Sequence, residues 1–321
     1  MDDGAYYLKA MNCPHHHRIY QYQPRSYRDL PLRLAEYGTC YRNELSGTLA
    51  GLLRVRGMAM NDAHIYCRRD QIKAEFRAVL ELTQRYFELF GLDDYWFRLS
   101  KWDPAHTDKY INEPDNWQYT ESVIREVLEE MGVKFEEAAD EAAFYGPKVD
   151  VQFSSVVGRE ETMSTIQLDF FAKGRFDLYY IDERGRKDHD VFVIHRAPLS
   201  VHERFLAFLI EHYAGAFPTW LAPVQVKVLP VSDKHLEYAG QVMARLGGAG
   251  VRAELDDRAE PLPAKVRRAQ LEKVPYMLVV GEKEAAAGQV AVRDRAGRQQ
   301  TVKLEEFQDQ VLEEIARRRA G

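Results

Sequence analysis

Apolar residues recur every three to four positions in three stretches of the chain, residues 70–92, 120–132 and 200–215. Each stretch has a glycine at or near its end, so the pattern predicts three amphipathic helices with glycine stops. For the second helix we expect Thr120 at the N-cap and Gly132 at the end.

Strand-like segments lie between and beyond these helices. A turn at residues 156–161 joins two of them into a predicted antiparallel hairpin. Strands grouped together, with helices packed beside them, indicate an α+β domain with an antiparallel sheet. The predicted strands are residues 93–100, 148–156, 162–171, 175–181 and 190–197.

A domain boundary is predicted at residues 217–223, FPTWLAP, where two prolines bracket a short stretch. Beyond it, short strands alternate with helices, which is typical of a small α/β domain with a mixed sheet. We therefore expect two domains, residues 1–217 and residues 224–321.

Composition favours a folded globular protein, because 45% of the 321 residues are hydrophobic and 29% are charged. No apolar run approaches the roughly 20 residues needed to span a membrane, and the opening residues lack a secretory signal pattern. Three cysteines in so long a chain predict a reduced, cytoplasmic protein in which Cys40 and Cys67 are buried thiols.

Charge is distributed unevenly along the chain. The formal net charge is −6, yet residues 224–321 hold 17 Lys and Arg against 15 Asp and Glu. A mildly basic end on an acidic protein permits local phosphate contacts without requiring them.

Two short segments contain candidate chemistry. Residues 12–17, NCPHHH, contain side chains typical of metal sites. Whether the other ligands of a metal bound by Cys13 lie in this run or elsewhere in the chain is left open. Arg42 and Glu44 sit two apart, as do Arg54 and Arg56 after a glycine-containing loop. On a strand each pair would share a face, either as a solvated surface or as a nucleotide site that binds phosphate and adenine.

A resemblance to a known family makes the metal-site and nucleotide-site interpretations specific. The chain resembles the catalytic and anticodon-binding parts of threonyl-tRNA synthetases, a family of class II aminoacyl-tRNA synthetases. The matching blocks occur in the family's order and cover nearly the whole chain. They are MNCPHH, SYRDLPLRLAEYGTCYRNE, SGTLAGLLRVRG, NDAHIY, AFYGPK, STIQLDF, IHRA, HERF, FPTWLAP, VPYMLVVG and VAVR.

The resemblance implies that the chain joins threonine to tRNA(Thr) at the expense of ATP, with Mg²⁺ on the phosphates. Arginine suits this chemistry because it supplies fixed positive charge where negative charge builds up. The implied ATP-binding residues are Arg42, Glu44, Arg54 and Arg204, and the implied catalytic residues are Arg42, Arg204 and Lys148. The implied threonine-binding residues are Asp62, Tyr145 and Gln167.

The resemblance also implies one zinc ion per chain, held by Cys13, His64 and His195, which no zinc-finger spacing would reveal. Three protein ligands leave room for a substrate. Threonine can offer an amino nitrogen and a hydroxyl oxygen, whereas valine has no hydroxyl. Adjacent histidines cannot all face one metal, so we expect none of the three in residues 15–17 to bind it.

In the tail domain the resemblance implies tRNA contacts. Glu284 and Arg293 match positions that read anticodon bases, and Lys265 and Arg267 are candidates for backbone contacts. Ala259 departs from the asparagine usual in the family, and Ser200 and Val201 replace small residues common in its motif 3.

The resemblance begins just before MNCP, so we expect this chain to lack the class II motif 1 and the editing domain of the family. The intact enzyme is expected to be a homodimer. An alternative is a synthetase-derived regulatory protein that binds tRNA or an amino acid, or an inactive fragment. The presence of Cys13, Arg42, His64, His195 and Arg204 together favours the enzyme. A zinc hydrolase is disfavoured, because no carboxylate stands beside the histidines as in H-E-x-x-H.

Overall fold

A computed structural model describes residues 4–154, 158 and 160–318 of the chain. The chain divides into two compact units: Met1–Glu88 with Leu92–Phe208, and Leu89–Gly91 with Leu209–Gly321. The predicted domain limits at residues 217 and 224 stay predictions.

The first unit is built on a large sheet. Its order is β1-β2-β9-β6-β5-β3-β4, and all neighbours are antiparallel except the parallel pair β3 and β4. The strands are β1 (Leu32–Tyr41), β2 (Gly57–Arg68), β3 (Tyr95–Ser100), β4 (Phe135–Ala138), β5 (Lys148–Ser154), β6 (Glu160–Asp169), β7 (Tyr180–Ile181), β8 (Lys187–Asp188) and β9 (Val191–Arg196), of which β7 and β8 form a separate small pair.

Helices accompany this sheet, as the sequence predicts. They are α1 (Cys13–Gln21), α2 (Ile72–Leu89), α3 (Pro114–Glu130), α4 (Ala172–Arg175) and α5 (His202–His212). Strand β9 lies inside the sheet and is buried from Val191 to Ile194, which explains its continuous apolar run. The α+β fold with a mainly antiparallel sheet is therefore confirmed.

Two predicted details of the first unit are wrong. Helix α3 begins at Pro114, because proline fits the first helical turn, and Thr120 lies inside the helix, where its hydroxyl donates to the carbonyl of Asn116. Residues 175–181 pair as a strand only at Tyr180–Ile181. Asp177 has a positive φ of 51° and turns the chain. Val156, Val157 and Arg159 of the predicted hairpin turn lie outside the described residues.

The second unit has a mixed sheet, as predicted, in the order β11-β10-β12-β13-β14. Strand β10 pairs in parallel with β11 and β12, and the remaining neighbours are antiparallel. The elements are β10 (Val226–Pro230), α6 (Leu236–Gly248), β11 (Ala253–Leu255), α7 (Leu262–Leu271), β12 (Tyr276–Val280), α8 (Glu282–Ala287), β13 (Gln289–Asp294), β14 (Gln299–Lys303) and α9 (Leu304–Arg317).

Alternating apolar residues of these strands pack against α6 and α9. The buried cluster includes Val226, Val228, Leu246, Val292 and Phe307. Within the described part of the chain, no helix is both long enough and apolar enough to cross a membrane.

Candidate active site

A cavity of about 890 Å³ lies in the first unit, with walls contributed by α1, β2, β6 and β9. It brings together most of the residues that the resemblance implies for ATP, threonine and zinc. Those in its wall are Cys13, Arg42, Glu44, Arg54, Asp62, Tyr145, Gln167, His195 and Arg204.

Strand pairing brings distant residues side by side. His64 on β2 is the register partner of His195 on β9, and His195 is the partner of Gln167 on β6. Register partners in a sheet point to the same face, and the rings of His64 and His195 lie 4.6 Å apart. The neighbourhood of these residues therefore follows from the strand order and not from sequence spacing.

Cys13, at the start of α1, completes a group with these two histidines. Among the described residues, one ligand atom from each of Cys13, His64 and His195 lies within 4.8 Å of the others. His64 is fully buried, and its Nε2 has no hydrogen-bond partner in the described part of the chain. A thiolate and two imidazoles are a donor set that suits zinc. These three residues therefore fit a zinc ion that would satisfy His64 Nε2.

Charge around this group favours a cation. Burial, with smaller effects from His195 and His16, holds the pKa of His64 well below its usual range, so His64 is neutral and able to act as a ligand. Burial opposes protonation of His195, but Asp169 and Cys13 together raise its pKa to about 10. A bound metal ion would take the place of the proton that His195 otherwise holds.

Asp62 lies two residues before His64 on the same strand face and is 7% exposed. Asn12 Nδ2 donates to its Oδ2 at 2.9 Å. Asn12 can approach because Gly38 has no side chain: a Cβ there would lie 2.6 Å from Asn12 Nδ2. Among the described residues, no donor contacts Asp62 Oδ1, which leaves that oxygen available to a ligand.

Three guanidinium groups lie in another part of the cavity wall, on Arg42, Arg54 and Arg204. Burial lowers the pKa of Arg204, and the nearby Arg54 and Arg42 lower it further. Glu44 Oε2 lies 3.6 Å from Arg54 Nε, and Arg204 Nε donates to the carbonyl of Leu53 at 3.1 Å. Like charges gathered in a cavity make it attractive to an anion.

Neither arginine-containing pair lies on a strand, so the shared strand face is wrong for both. Strand β1 ends at Tyr41, and Arg42 and Glu44 lie in the loop that follows it. Arg54 and Arg56 precede β2, which begins at Gly57. Arg56 does not line the cavity with Arg54. It supports the loop instead, through bonds to the carbonyl of Glu44 at 3.1 Å and to Ser46 Oγ at 3.2 Å.

Lys148 is on the strand next to Gln167 but is not part of the cavity wall. Its Nζ lies 2.7 Å from Oδ2 of Asp150, which is 1% exposed. The Asp150 carboxylate also accepts from Ser100 and Thr165 at 3.0 and 2.7 Å. The ammonium group is therefore held by a buried carboxylate beside the cavity.

Asp169 is a site residue that the sequence reading missed. Its Oδ2 lies 3.0 Å from His195 Nε2, while its Oδ1 accepts from the backbone N–H groups of Phe171 and Ala172 at 2.8 Å each. The signal was present in β6, because Thr165, Gln167 and Asp169 are polar at every second position.

In the second unit the predicted tRNA residues differ in accessibility. Arg267 is exposed on α7, and Glu284 Oε2 accepts from the Gly281 N–H at 3.0 Å. Arg293 on β13 is partly buried, and its Nε has no partner among the described residues. Lys265 corrects the prediction: it is 3% exposed, and its ammonium donates inward to the carbonyls of Asp256 and Pro230 at 3.0 and 3.3 Å.

Comparison with known proteins agrees with this fold. Residues 1–213 match the model of the tRNA synthetase class II core domain (G, H, P, S and T), and residues 225–314 match the anticodon binding domain. The catalytic unit is thus of the class II synthetase type.

Similar curated proteins indicate which class II synthetases this chain resembles. The chain is 53% identical over 310 residues to a threonine–tRNA ligase of Bacillus velezensis and 51% identical over 320 residues to that of a Geobacillus species. These matches cover 96% and 99% of this chain, but 48% and 49% of the relatives. The chain therefore spans about half the length of the curated relatives it matches.

Solved structures agree. A crystal structure of the RNA binding domain of threonyl-tRNA synthetase from Cryptosporidium parvum has a TM-score of 0.85 at 35% identity, covering 95% of this chain and 76% of that one. A putative threonyl-tRNA synthetase from Aeropyrum pernix has a TM-score of 0.81 at 27% identity, with 98% and 76% covered. The chain belongs to the threonyl-tRNA synthetase family.

Proposed function

We propose that this chain carries the threonine–tRNA ligase chemistry of its family. An oxygen of the threonine carboxylate attacks the α-phosphorus of ATP, and pyrophosphate leaves. The threonyl group then passes from the adenylate to the terminal adenosine of tRNA(Thr), and AMP leaves. The observation that carries the proposal is one cavity whose wall includes both an arginine cluster and the Cys13–Asp62–His195 region.

The arginine cluster would bind the nucleotide. Arg42, Arg54 and Arg204 offer fixed positive charge to the phosphates, where charge shifts toward pyrophosphate during attack. Glu44 would accept from the adenine amine, and Mg²⁺ would accompany the phosphates. Lys148 would act in catalysis from beside the cavity, tethered to Asp150.

The other region would bind threonine. Asp62, steadied by Asn12, would accept the threonine hydroxyl proton through Oδ1. Tyr145 donates to Gln167, and this pair would shape the pocket around the amino acid. A zinc ion held by Cys13, His64 and His195 would offer open coordination positions to the amino and hydroxyl groups. Valine lacks the hydroxyl, so its binding would leave the buried polar groups of this site without a partner, and valine is therefore disfavoured.

The second unit would read tRNA(Thr). Glu284 and Arg293 would contact anticodon bases, and Arg267, which is exposed, would contact the backbone. The buried Lys265 is left out of this set. We further propose that the intact enzyme is a homodimer and acts in the cytoplasm.

Pyrophosphate exchange tests the proposal. The purified chain, with ATP, Mg²⁺ and labelled pyrophosphate, should incorporate label into ATP when threonine is added and far less when valine is added. Charging of tRNA(Thr) transcript tests the second step. Binding of ATP, threonine or tRNA without any exchange would instead support the regulatory protein considered above.

A further inference from the structure

Two side chains with no role in the proposed reaction lie behind His64. His16 on α1 is 3% exposed, and its Nδ1 lies 2.7 Å from His64 Nδ1. Its other ring nitrogen, Nε2, lies 3.2 Å from Oε1 of Glu36 on β1. The three side chains form a line of hydrogen-bonding groups that ends at the buried Nε2 of His64.

One proton placement satisfies both hydrogen-bonding contacts in this line. If His64 carries its proton on Nδ1, it donates to His16 Nδ1, and His16 donates from Nε2 to the Glu36 carboxylate. The reverse placement gives His64 Nε2 a buried proton with no acceptor among the described residues. It also turns a lone pair of His16 toward a carboxylate. An unsatisfied buried donor costs about 1–3 kcal/mol, so the first placement is favoured.

The favoured placement leaves an unused lone pair on His64 Nε2, and His64 groups with Cys13 and His195. A metal-binding imidazole requires that lone pair, and the partner of its other nitrogen fixes the tautomer and the ring orientation. His195 has the shorter form of this arrangement, with Asp169 in direct contact with its Nε2. For His64 the carboxylate stands one side chain farther away, with His16 between.

The far end of the line is itself held in place. Glu36 is the register partner of Asp62 across β1 and β2, so it shares the sheet face that carries the site. Lys9 Nζ lies 3.5 Å from Glu36 Oε2, on the oxygen that His16 does not use. The carboxylate is therefore oriented toward His16 from a fixed strand position.

We infer that His16 and Glu36 are positioning residues for His64, fixing its tautomer and ring so that Nε2 faces the metal position. The inference rests on the proposed zinc site and deepens it. His16 does not become a ligand, because both of its nitrogens are engaged within the line.

Zinc affinity of the whole chain, measured by chelator competition with zinc alone, tests the role. His16→Phe fills the same space without either nitrogen and should lower the affinity 10–100-fold, the loss typical of an outer partner of a metal ligand. Glu36→Leu should lower it in the same direction. His15→Asn is the matched control, because His15 is exposed on the same helix, and it should leave the affinity unchanged.

Nitrogen NMR of ¹⁵N-histidine-labelled, metal-free chain supplies a readout that lost packing would not move. His64 should carry its proton on Nδ1 in the unsubstituted chain and shift toward Nε2 in His16→Phe. If the unsubstituted chain binds no zinc, the proposed metal site fails. If it binds zinc, while both variants bind equally well with the His64 tautomer unchanged, the positioning role alone is overturned. Glu36, whose side chain is 31% exposed, keeps the test open should His16→Phe not fold.

Discussion

The thiol of Cys13 is the sulfur ligand of the proposed metal group, so its removal should weaken metal binding directly. Cys13→Ala removes one of three ligands, so zinc content should fall from about one ion per chain to nearly none. Metal analysis of the purified variant by mass spectrometry measures this. Cys67→Ala is the control, since Cys67 is buried outside the group. Equal zinc in Cys13→Ala and the parent chain would contradict the assignment.

Asp62 should decide between threonine and valine. Asp62→Asn keeps the size of the side chain but removes the charged acceptor. The preference for threonine over valine in adenylate formation should therefore fall by about 1.5–3 kcal/mol, the contribution of a hydrogen bond to a charged group. Exchange rates with each amino acid give the ratio.

Glu44→Gln provides the comparison for that measurement, because Glu44 lies among the arginines of the same cavity. It should weaken ATP use while leaving the threonine-to-valine ratio unchanged. A ratio that survives in Asp62→Asn would remove Asp62 from the specificity site.

Single residues were predictable only where a familiar block contained them. Cys13, His64 and His195 are separated by 51 and 131 positions, and no local pattern couples them. The link from Glu36 through His16 to His64 could not be found from sequence, because it depends on two packing distances near His64. Lys265 was misassigned because a lysine reads as a surface residue until its buried acceptors are seen.

Contact between α1 and β1 should depend on the absence of a side chain at Gly38. Gly38→Ala would push Asn12 away from Asp62, since the new Cβ has no room. We expect a loss of about 1–3 kcal/mol in stability and weaker threonine binding with ATP binding retained. Calorimetry with each ligand and thermal unfolding measure the two effects.

Gly47→Ala is the matched control for that substitution, because a Cβ at Gly47 meets no atom within 4 Å. Its stability and threonine affinity should stay at parent values. If Gly38→Ala binds threonine normally, the packing of Asn12 against β1 does not support the site.

The link between β4 and α3 should respond to acid. The hydrogen bond from Arg125 lowers the pKa of Glu137, burial partly opposes this, and a hydrogen bond from Lys101 lowers the pKa further. The result is a pKa of about 2, compared with an ordinary value of 4.5. A carboxyl group with a depressed folded-state pKa stabilises the protein above its unfolded pKa, and that stability is lost as pH falls toward 2.

Glu137→Gln should therefore reduce the free energy of unfolding by about 1 kcal/mol or less at pH 6, and the difference from the parent should shrink toward pH 2. Denaturant unfolding at several pH values follows it. Glu141→Gln, at an exposed carboxylate, should show no such trend. A difference between Glu137→Gln and the parent that is the same at all pH values would argue against the ion pair.

At the level of elements, periodicity located the helices α2, α3 and α5 and the strands β3, β5, β6 and β9 of the first unit, because their buried faces are regular. It predicted no strand at β1, β2 or β4. The wrong strand prediction at residues 175–181 is instructive. Phe176, Leu178 and Tyr180 alternate and do pack on one cluster, yet the positive φ of Asp177 turns the backbone away from extended pairing. Alternation reports burial, and burial does not always require a ladder of hydrogen bonds.

Considered as a whole molecule, the two units should separate the two steps of the reaction. Arg293→Ala should leave threonine-dependent pyrophosphate exchange unchanged and weaken charging of tRNA by about 1–3 kcal/mol if a base contact is lost. Arg204→Ala removes a phosphate-binding group, so exchange itself should collapse.

Arg298→Ala is the control in the second unit, because Arg298 has an 85% exposed side chain on the same β13–β14 hairpin. It should leave both steps near parent levels. Exchange damaged as severely by Arg293→Ala as by Arg204→Ala would mean that the second unit supports the fold of the first instead of reading RNA.

The order of the predicted elements was enough to predict the fold class of each unit. Strands that cluster together lead to a mainly antiparallel sheet, whereas strands that alternate with helices lead to a mixed sheet. The order of elements along the chain could not give the strand order β1-β2-β9-β6. That order depends on pairing between segments more than a hundred residues apart, and it is what assembles the site.

His64, His195, Gln167 and Lys148 stand in one row across β2, β9, β6 and β5, each from a different strand. Loss of one residue within such a strand turns every later side chain to the opposite face. These strands should therefore tolerate amino-acid substitutions far better than single-residue deletions. In a library of single-codon deletions under selection for growth, survivors should be depleted across these four strands and recovered at the exposed residues 183–186 between β7 and β8.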